Sequence, residues 1–208
     1  MYAMLAYGYE LQAQFVPILI VLIQFRRNKG KNAAPFSKRH YVYPILFAFY
    51  IIAVFHVTGA GTVYDAMKLK AENLLSHVNL IPFSNKINVI GYLLNIVMFV
   101  PLGFLVPLIW NRTAKVPHVL LAGFSFSFLI EVSQLLSSRG TDIDDLILNT
   151  LGAVIGFLLS KAWNRVTGSR YQLDGISPIE LPVYILTLYL GRCLLFNQLG
   201  LINLMYDL

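Results

Sequence analysis

Residues 89–110 read VIGYLLNIVMFVPLGFLVPLIW, without one charged side chain. A helix needs about 20 mainly apolar residues to cross the hydrocarbon core of a bilayer, and this stretch supplies them. Asn95, Pro101 and Pro107 interrupt it. Proline is tolerated in a membrane helix where neighbours satisfy the freed carbonyls, so a bend is expected near Pro101 and not a break. Five similar stretches flank it, at 8–25, 43–63, 116–136, 146–163 and 181–202. The chain has 208 residues, of which 57% are hydrophobic and 12% charged. That apolar share excludes an ordinary soluble domain, and six spans with their loops use nearly all of the chain. The expected fold is an all-α polytopic membrane helical bundle, with about six transmembrane helices in a single domain over residues 1–208.

Charge orients the bundle. Loop one carries Arg26, Arg27, Lys29, Lys31, Lys38 and Arg39, and loop three carries Arg112 and Lys115; Lys161, Arg165 and Arg170 lie in or beside loop five. Loops two and four hold only Lys68, Lys70, Lys86 and Arg139. Cytoplasmic loops collect Lys and Arg, so loops one, three and five are expected inside, and both termini outside. The first residues lack the basic region of a secretory signal, and Arg26-Arg27 reads as a stop after the first span. The net charge of +6 is absorbed by these loops and by anionic lipid. No nucleic-acid partner is expected. The single cysteine, Cys193, forms no intrachain disulfide.

The second loop, 64–88, is long. Met67, Ala71, Leu74, Leu75 and Val78 recur in it at helical spacing, which predicts a short amphipathic interfacial helix. Pro82 disfavours helix at Ile81 and ends it.

With that orientation, the polar side chains of the spans gather in the outer half. At a rise of 1.5 Å per residue, Asn95 lies roughly 9 Å, and Glu131 about 7 Å, below the outer helix ends. Asn149 and Arg192 are also on the outer side. Intramembrane polar groups usually face the bundle interior or a wet cavity, so a shared polar pocket opening outward is expected. An unpaired Glu131 carboxylate costs a few kcal/mol or more, or simply stays protonated. It shares a helix face with Ser127 and Gln134, and Arg192 or Arg139 can supply the opposite charge. An ion pair that merely joins two helices is the plain alternative. His56 is expected as a satisfied core histidine, and Gly152-x-x-x-Gly156 as a close-packing motif.

The densest polar run is Arg139-Gly140-Thr141-Asp142-Ile143-Asp144-Asp145-Leu146-Ile147-Leu148-Asn149. Capping of span five by Thr141 or Asp142 accounts for one or two acids, and Thr141 with Asp144 fits a capping box. Three acids exceed that need. Asp142, Asp144 and Asp145 are therefore candidate ligands of a divalent cation such as Mg, Ca or Mn, or of a cationic group. The candidate ligand-binding set is Asn95, Glu131, Gln134, Arg139, Asp142, Asp144, Asp145, Asn149 and Arg192.

Three blocks now carry a resemblance: Asn79-Leu80-Ile81-Pro82-Phe83; Asn95-Ile96-Val97-Met98-Phe99-Val100-Pro101-Leu102-Gly103; and Glu131-Val132-Ser133-Gln134 leading through Arg139 to the 142–153 stretch. The chain resembles the VanZ-like membrane proteins, best over residues 45–163. The resemblance implies an integral protein of the bacterial cytoplasmic membrane, in a family whose namesake is associated with resistance to teicoplanin, a lipid-tailed glycopeptide acting outside the membrane. It implies no particular reaction and brings no catalytic residues.

Three functions compete. In the first, the outward pocket binds an envelope molecule, a lipid-linked cell-wall precursor or a lipopeptide, with the acids on cationic groups and the helix grooves on an acyl chain. In the second, an intramembrane enzyme acts on a wall or lipid substrate, with Glu131 as catalytic acid or base and the three aspartates holding a cation. The third is an envelope lipid transporter, which ranks last because a transport path needs polar lining on both sides and the inner half is nearly bare.

Overall fold

The computed structural model describes residues 2–28, 37–68, 78–84, 88–111, 115–137, 139–168, 170–174, 177 and 179–195. The chain is an α-helical membrane bundle. Its elements are α1 (Tyr2–Arg27), α2 (Arg39–Thr58), the short α3 (Val63–Lys68), β1 (Val78–Asn79), α4 (Val89–Ile109), α5 (Val116–Gln134), β2 (Thr141–Asp142), α6 (Ile143–Thr167) and α7 (Glu180–Leu190). A π-helical turn, Gly191–Leu195, continues α7. Among the described residues, five helices are long and apolar enough to cross a membrane: α1, α2, α4, α5 and α6. The rest of the expected sixth span, 196–202, lies outside the described residues.

The centre of the bundle is α4 against α6, and glycine makes that approach possible. A methyl group at Gly152 would meet the Ile96 carbonyl oxygen, at Gly156 that of Val100, and at Gly103 that of Ala153. The expected packing role of Gly152 and Gly156 is thus observed, with Gly103 as a third member on the facing helix. Pro101 and Pro107 lie inside a continuous α4. Around this pair Phe55, Phe126 and Phe99 stack in a buried column, with successive ring centroids 5.3 Å apart. The opposite helix faces carry exposed apolar side chains such as Val97, Leu121 and Leu158, as lipid contact requires.

Most helix ends fall a few residues from the sequence reading, and the differences near the second loop and the fifth span matter for the site. The second span ends at Thr58 and not at residue 63, because Gly59 takes a left-handed conformation (φ +62°) and caps the helix. The sixty-third residue instead starts α3 behind a reciprocal cap: Thr62 N–H and hydroxyl both donate to Asp65, and Asp65 N–H donates to Thr62. Of the residues expected to form the interfacial helix, Met67 lies in α3. Ala71, Leu74 and Leu75 lie outside the described residues, and Val78 is in a strand. The fifth span begins at Ile143, so Asp144 and Asp145 belong to its first turn and not to a loop. Asp142 is its cap, accepting from Asp144 N–H at 3.0 Å. Thr141 makes no capping box with Asp144: its hydroxyl donates to the Glu131 carbonyl oxygen at 3.1 Å.

The basic loops meet at one end. Arg39 donates to the Arg170 carbonyl at 2.6 Å, and Arg26 donates to the His40 carbonyl. The segment after α6 folds back on the end of α4 through Leu173 N–H to Leu108 and Asn111 N–H to Leu173.

Candidate functional site

At the other end, two loops far apart in sequence lie side by side. β1 pairs in parallel with β2, with Val78 opposite Thr141 and Asn79 opposite Asp142. This pairing brings the 79–84 loop onto the first turn of α6. Asn79 Nδ2 donates to both Asp142 oxygens, at 3.2 and 3.3 Å. Asp144, only 1% exposed, accepts the Phe83 N–H at 2.8 Å and the Tyr92 hydroxyl at 2.5 Å. Asp145 accepts from the Asn95 amide. From α5, the buried Glu131 accepts the Asp142 N–H at 3.0 Å. Five segments thus converge on one acidic corner at the ends of α4, α5 and α6.

One turn deeper, Asn149 Nδ2 donates to Ser127 Oγ at 2.9 Å, both side chains being buried. Gln134 Nε2 donates to the Thr58 carbonyl at 3.1 Å. The shared burial of Ser127, Glu131 and Gln134 confirms their common helix face. Two buried acceptors, Gln134 Oε1 and Asn149 Oδ1, have no donor among the described residues.

The expected arginine partners of Glu131 are engaged elsewhere. Arg192 pairs with Glu10, and its Nε donates to the Ala60 carbonyl at 2.7 Å. Arg139 donates to the Thr58 carbonyl at 2.8 Å. Among the described residues, Glu131, Asp144 and Asp145 form no salt bridge, and neutral donors alone hold them. The single shared pocket is likewise divided. Asn95, Glu131, Asp142, Asp144 and Asp145 form the acidic corner, with Gln134, Arg139 and Asn149 around it. Arg192 belongs to a second cluster on α1, α2 and α7, where Glu10 also meets His56 Nδ1 at 2.9 Å. His56 is therefore hydrogen-bonded as expected, but its side chain is 48% exposed and not in the core.

The divalent-cation expectation finds no matching geometry. Asp142, Asp144 and Asp145 point to Asn79, to Phe83 with Tyr92, and to Asn95. Among the described residues no three His, Cys, Asp or Glu side chains converge for a metal ion. Asp142 and Asp144 hold the 79–84 loop, and Asp145 ties α6 to α4.

Sequence reasoning missed Tyr92, which reads as one more interfacial aromatic, and the role of Asn79 as a loop bracket. It also missed Glu180. That side chain, 2% exposed, accepts from Trp110 Nε1 at 2.9 Å and from the Tyr184 hydroxyl. It lies at the basic end, so the half of the bundle expected inside is less bare than the sequence suggests. A cleft of about 470 Å³ opens between α5 and α7 toward that end, lined chiefly by apolar side chains such as Leu121, Phe128, Leu181 and Ile185. None of its lining residues belongs to the acidic corner, and its apolar walls suit hydrocarbon.

A family model described as VanZ/LLP1 matches residues 45–164. All of the acidic corner, from Asn79 to Asn149, lies within that range, whereas Glu10 and Arg192 lie outside it. Comparisons with curated proteins and with solved structures return no match.

Proposed function

The chain belongs to the VanZ/LLP1 family, and from that premise we propose that it is a multi-pass protein of the bacterial cytoplasmic membrane whose acidic corner faces out of the cell and binds an envelope molecule. The ligand class is a lipid-linked wall precursor or a lipopeptide bearing ammonium or other donor groups. One observation carries this reading: Glu131, Asp144 and Asp145 are gathered at one end of the bundle by neutral donors, with no counter-cation among the described residues. Such a corner favours a cationic, donor-rich partner, because charge-assisted hydrogen bonds are roughly twice as strong as neutral ones. Gln134 Oε1 and Asn149 Oδ1 add acceptors of the same kind.

The Lys and Arg of loops one and five, which meet at the opposite end through Arg39 and Arg170, support the outward orientation. It would place both termini outside. The association of the family's namesake with teicoplanin supports lowered glycopeptide susceptibility as the cellular effect. Catalysis by Glu131 with a cation on the aspartates has less support, since those aspartates do not converge on a common point.

The test compares cells expressing the parent, Asp145→Asn or Glu131→Gln at equal abundance, challenged with a glycopeptide and a lipoglycopeptide. The parent should protect and the variants should not. Protection by the variants equal to that of the parent, or no protection by the parent, would refute the reading.

A further inference from the structure

The loop between β1 and α4 exposes apolar side chains where a water-facing loop would be polar. Leu80, Ile81 and Phe83 are 70%, 69% and 52% exposed. Their backbone is held in place. Asn79 Oδ1 accepts from Ile81 N–H and from the Ser84 hydroxyl, and Asp144 accepts from Phe83 N–H. Phe83 adopts φ +54°, a left-handed conformation uncommon for a bulky residue, and its ring packs edge-on against Tyr92 with centroids 6.1 Å apart.

These contacts set the depth of the loop. Tyr92 is in the first turn of α4 and Asp144 in the first turn of α6. The loop therefore rests within about one turn, roughly 5 Å, of the ends of two membrane-crossing helices. The 21 residues of α4 span about 31 Å, close to the thickness of the hydrocarbon core. The first turns of α4 expose Val89, Ile90, Leu93, Leu94 and Val97, so that apolar surface lies on both sides of the loop's contact at Tyr92.

We propose that residues 80–83 are immersed in the acyl-chain region of the surrounding leaflet and form the lipid-facing wall of the acidic corner. A ligand whose hydrocarbon tail lies along the loop and α4 then brings its polar head from the side to Asp142 and Asp145, the partly exposed acids of the corner, whereas Glu131 and Asp144 are buried. This lateral route rests on the ligand-binding role proposed above; the immersion of the loop does not.

The test uses the full chain in proteoliposomes. Ile81→Cys, in a Cys193→Ser background, is labelled with an environment-sensitive NBD fluorophore. Leu80→Cys serves as a second reporter, and Gly140→Cys, in the exposed turn before β2, as the aqueous reference. Immersion predicts blue-shifted emission from the loop labels, with stronger quenching by acyl-chain-brominated lipid than by aqueous iodide and the reverse at Gly140. Iodide quenching of both loop labels as strong as at Gly140 overturns the proposal. The readout contains no ligand. Failure of glycopeptide protection thus leaves it standing, and an aqueous loop leaves the binding role of the acids untouched.

Discussion

Replacing Asp144 should separate its loop-holding role from its charge. In Asp144→Ala the Phe83 N–H and the Tyr92 hydroxyl lose their shared acceptor. An orphaned donor costs about 1–3 kcal/mol. With the loop in the acyl-chain region, water does not replace the lost acceptor, so the whole range applies, about 2–6 kcal/mol for the two donors together. In Asp144→Asn the amide oxygen still accepts from Phe83. Its Nδ2 donates to Tyr92, whose hydroxyl turns from donor to acceptor. Only the charge assistance is lost, about 1 kcal/mol. For a chain of this size 1 kcal/mol moves the midpoint by roughly 2–4 °C. Thermal unfolding in mild detergent should therefore place Asp144→Ala roughly 4–24 °C below the parent, with Asp144→Asn between the two. Hydrogen exchange at Phe83 should rise sharply in the alanine variant alone. Equal midpoints for the two variants, or an alanine variant as stable as the parent, would refute the assignment of Asp144 as the bracket of the loop.

Glu10→Gln should destabilise by about 3–5 kcal/mol, because Arg192 is left buried without its counter-charge; adding Arg192→Met should recover most of the loss in the same thermal assay. Gly156→Leu should abolish the folded bundle, since even a methyl group meets the Val100 backbone. Gly168→Ala, with open space around it but φ +60°, should cost only about 1 kcal/mol, the scale of left-handed strain; size-exclusion profiles and unfolding midpoints distinguish the pair. Glu131→Gln and Asp145→Asn should remain folded at parental abundance on membrane immunoblots while losing glycopeptide protection.

The spans were legible because a charge-free apolar run has few alternatives to a membrane helix. The Gly152–Gly156 contact was legible because small residues at that spacing allow backbones to approach. What escaped was whatever depends on which elements are neighbours. The parallel pairing of Val78–Asn79 with Thr141–Asp142 is two residues long and joins loops more than 60 positions apart, so no local periodicity signals it. The same blindness offers Arg192 or Arg139 to Glu131, when α1 brings Glu10 to Arg192 instead and Arg139 reaches the Thr58 carbonyl. Acids after Gly140 look like loop or metal ligands in sequence. Only the arrival of Tyr92, Phe83 and Asn95 shows that Asp144 and Asp145 have protein donors to satisfy. Gly59 was readable as a glycine but not as a stop, because the helical pattern around it continues to residue 63.

The proposed envelope role depends on the acidic corner lying outside the cell. In a Cys193→Ser background, Ser138→Cys and Asn28→Cys report the two ends of the bundle to an impermeant maleimide. Intact cells should label the position beside the acids and spare the one beside Arg27 until the membrane is opened. Labelling of Asn28→Cys with protection of Ser138→Cys would contradict the envelope-facing site directly.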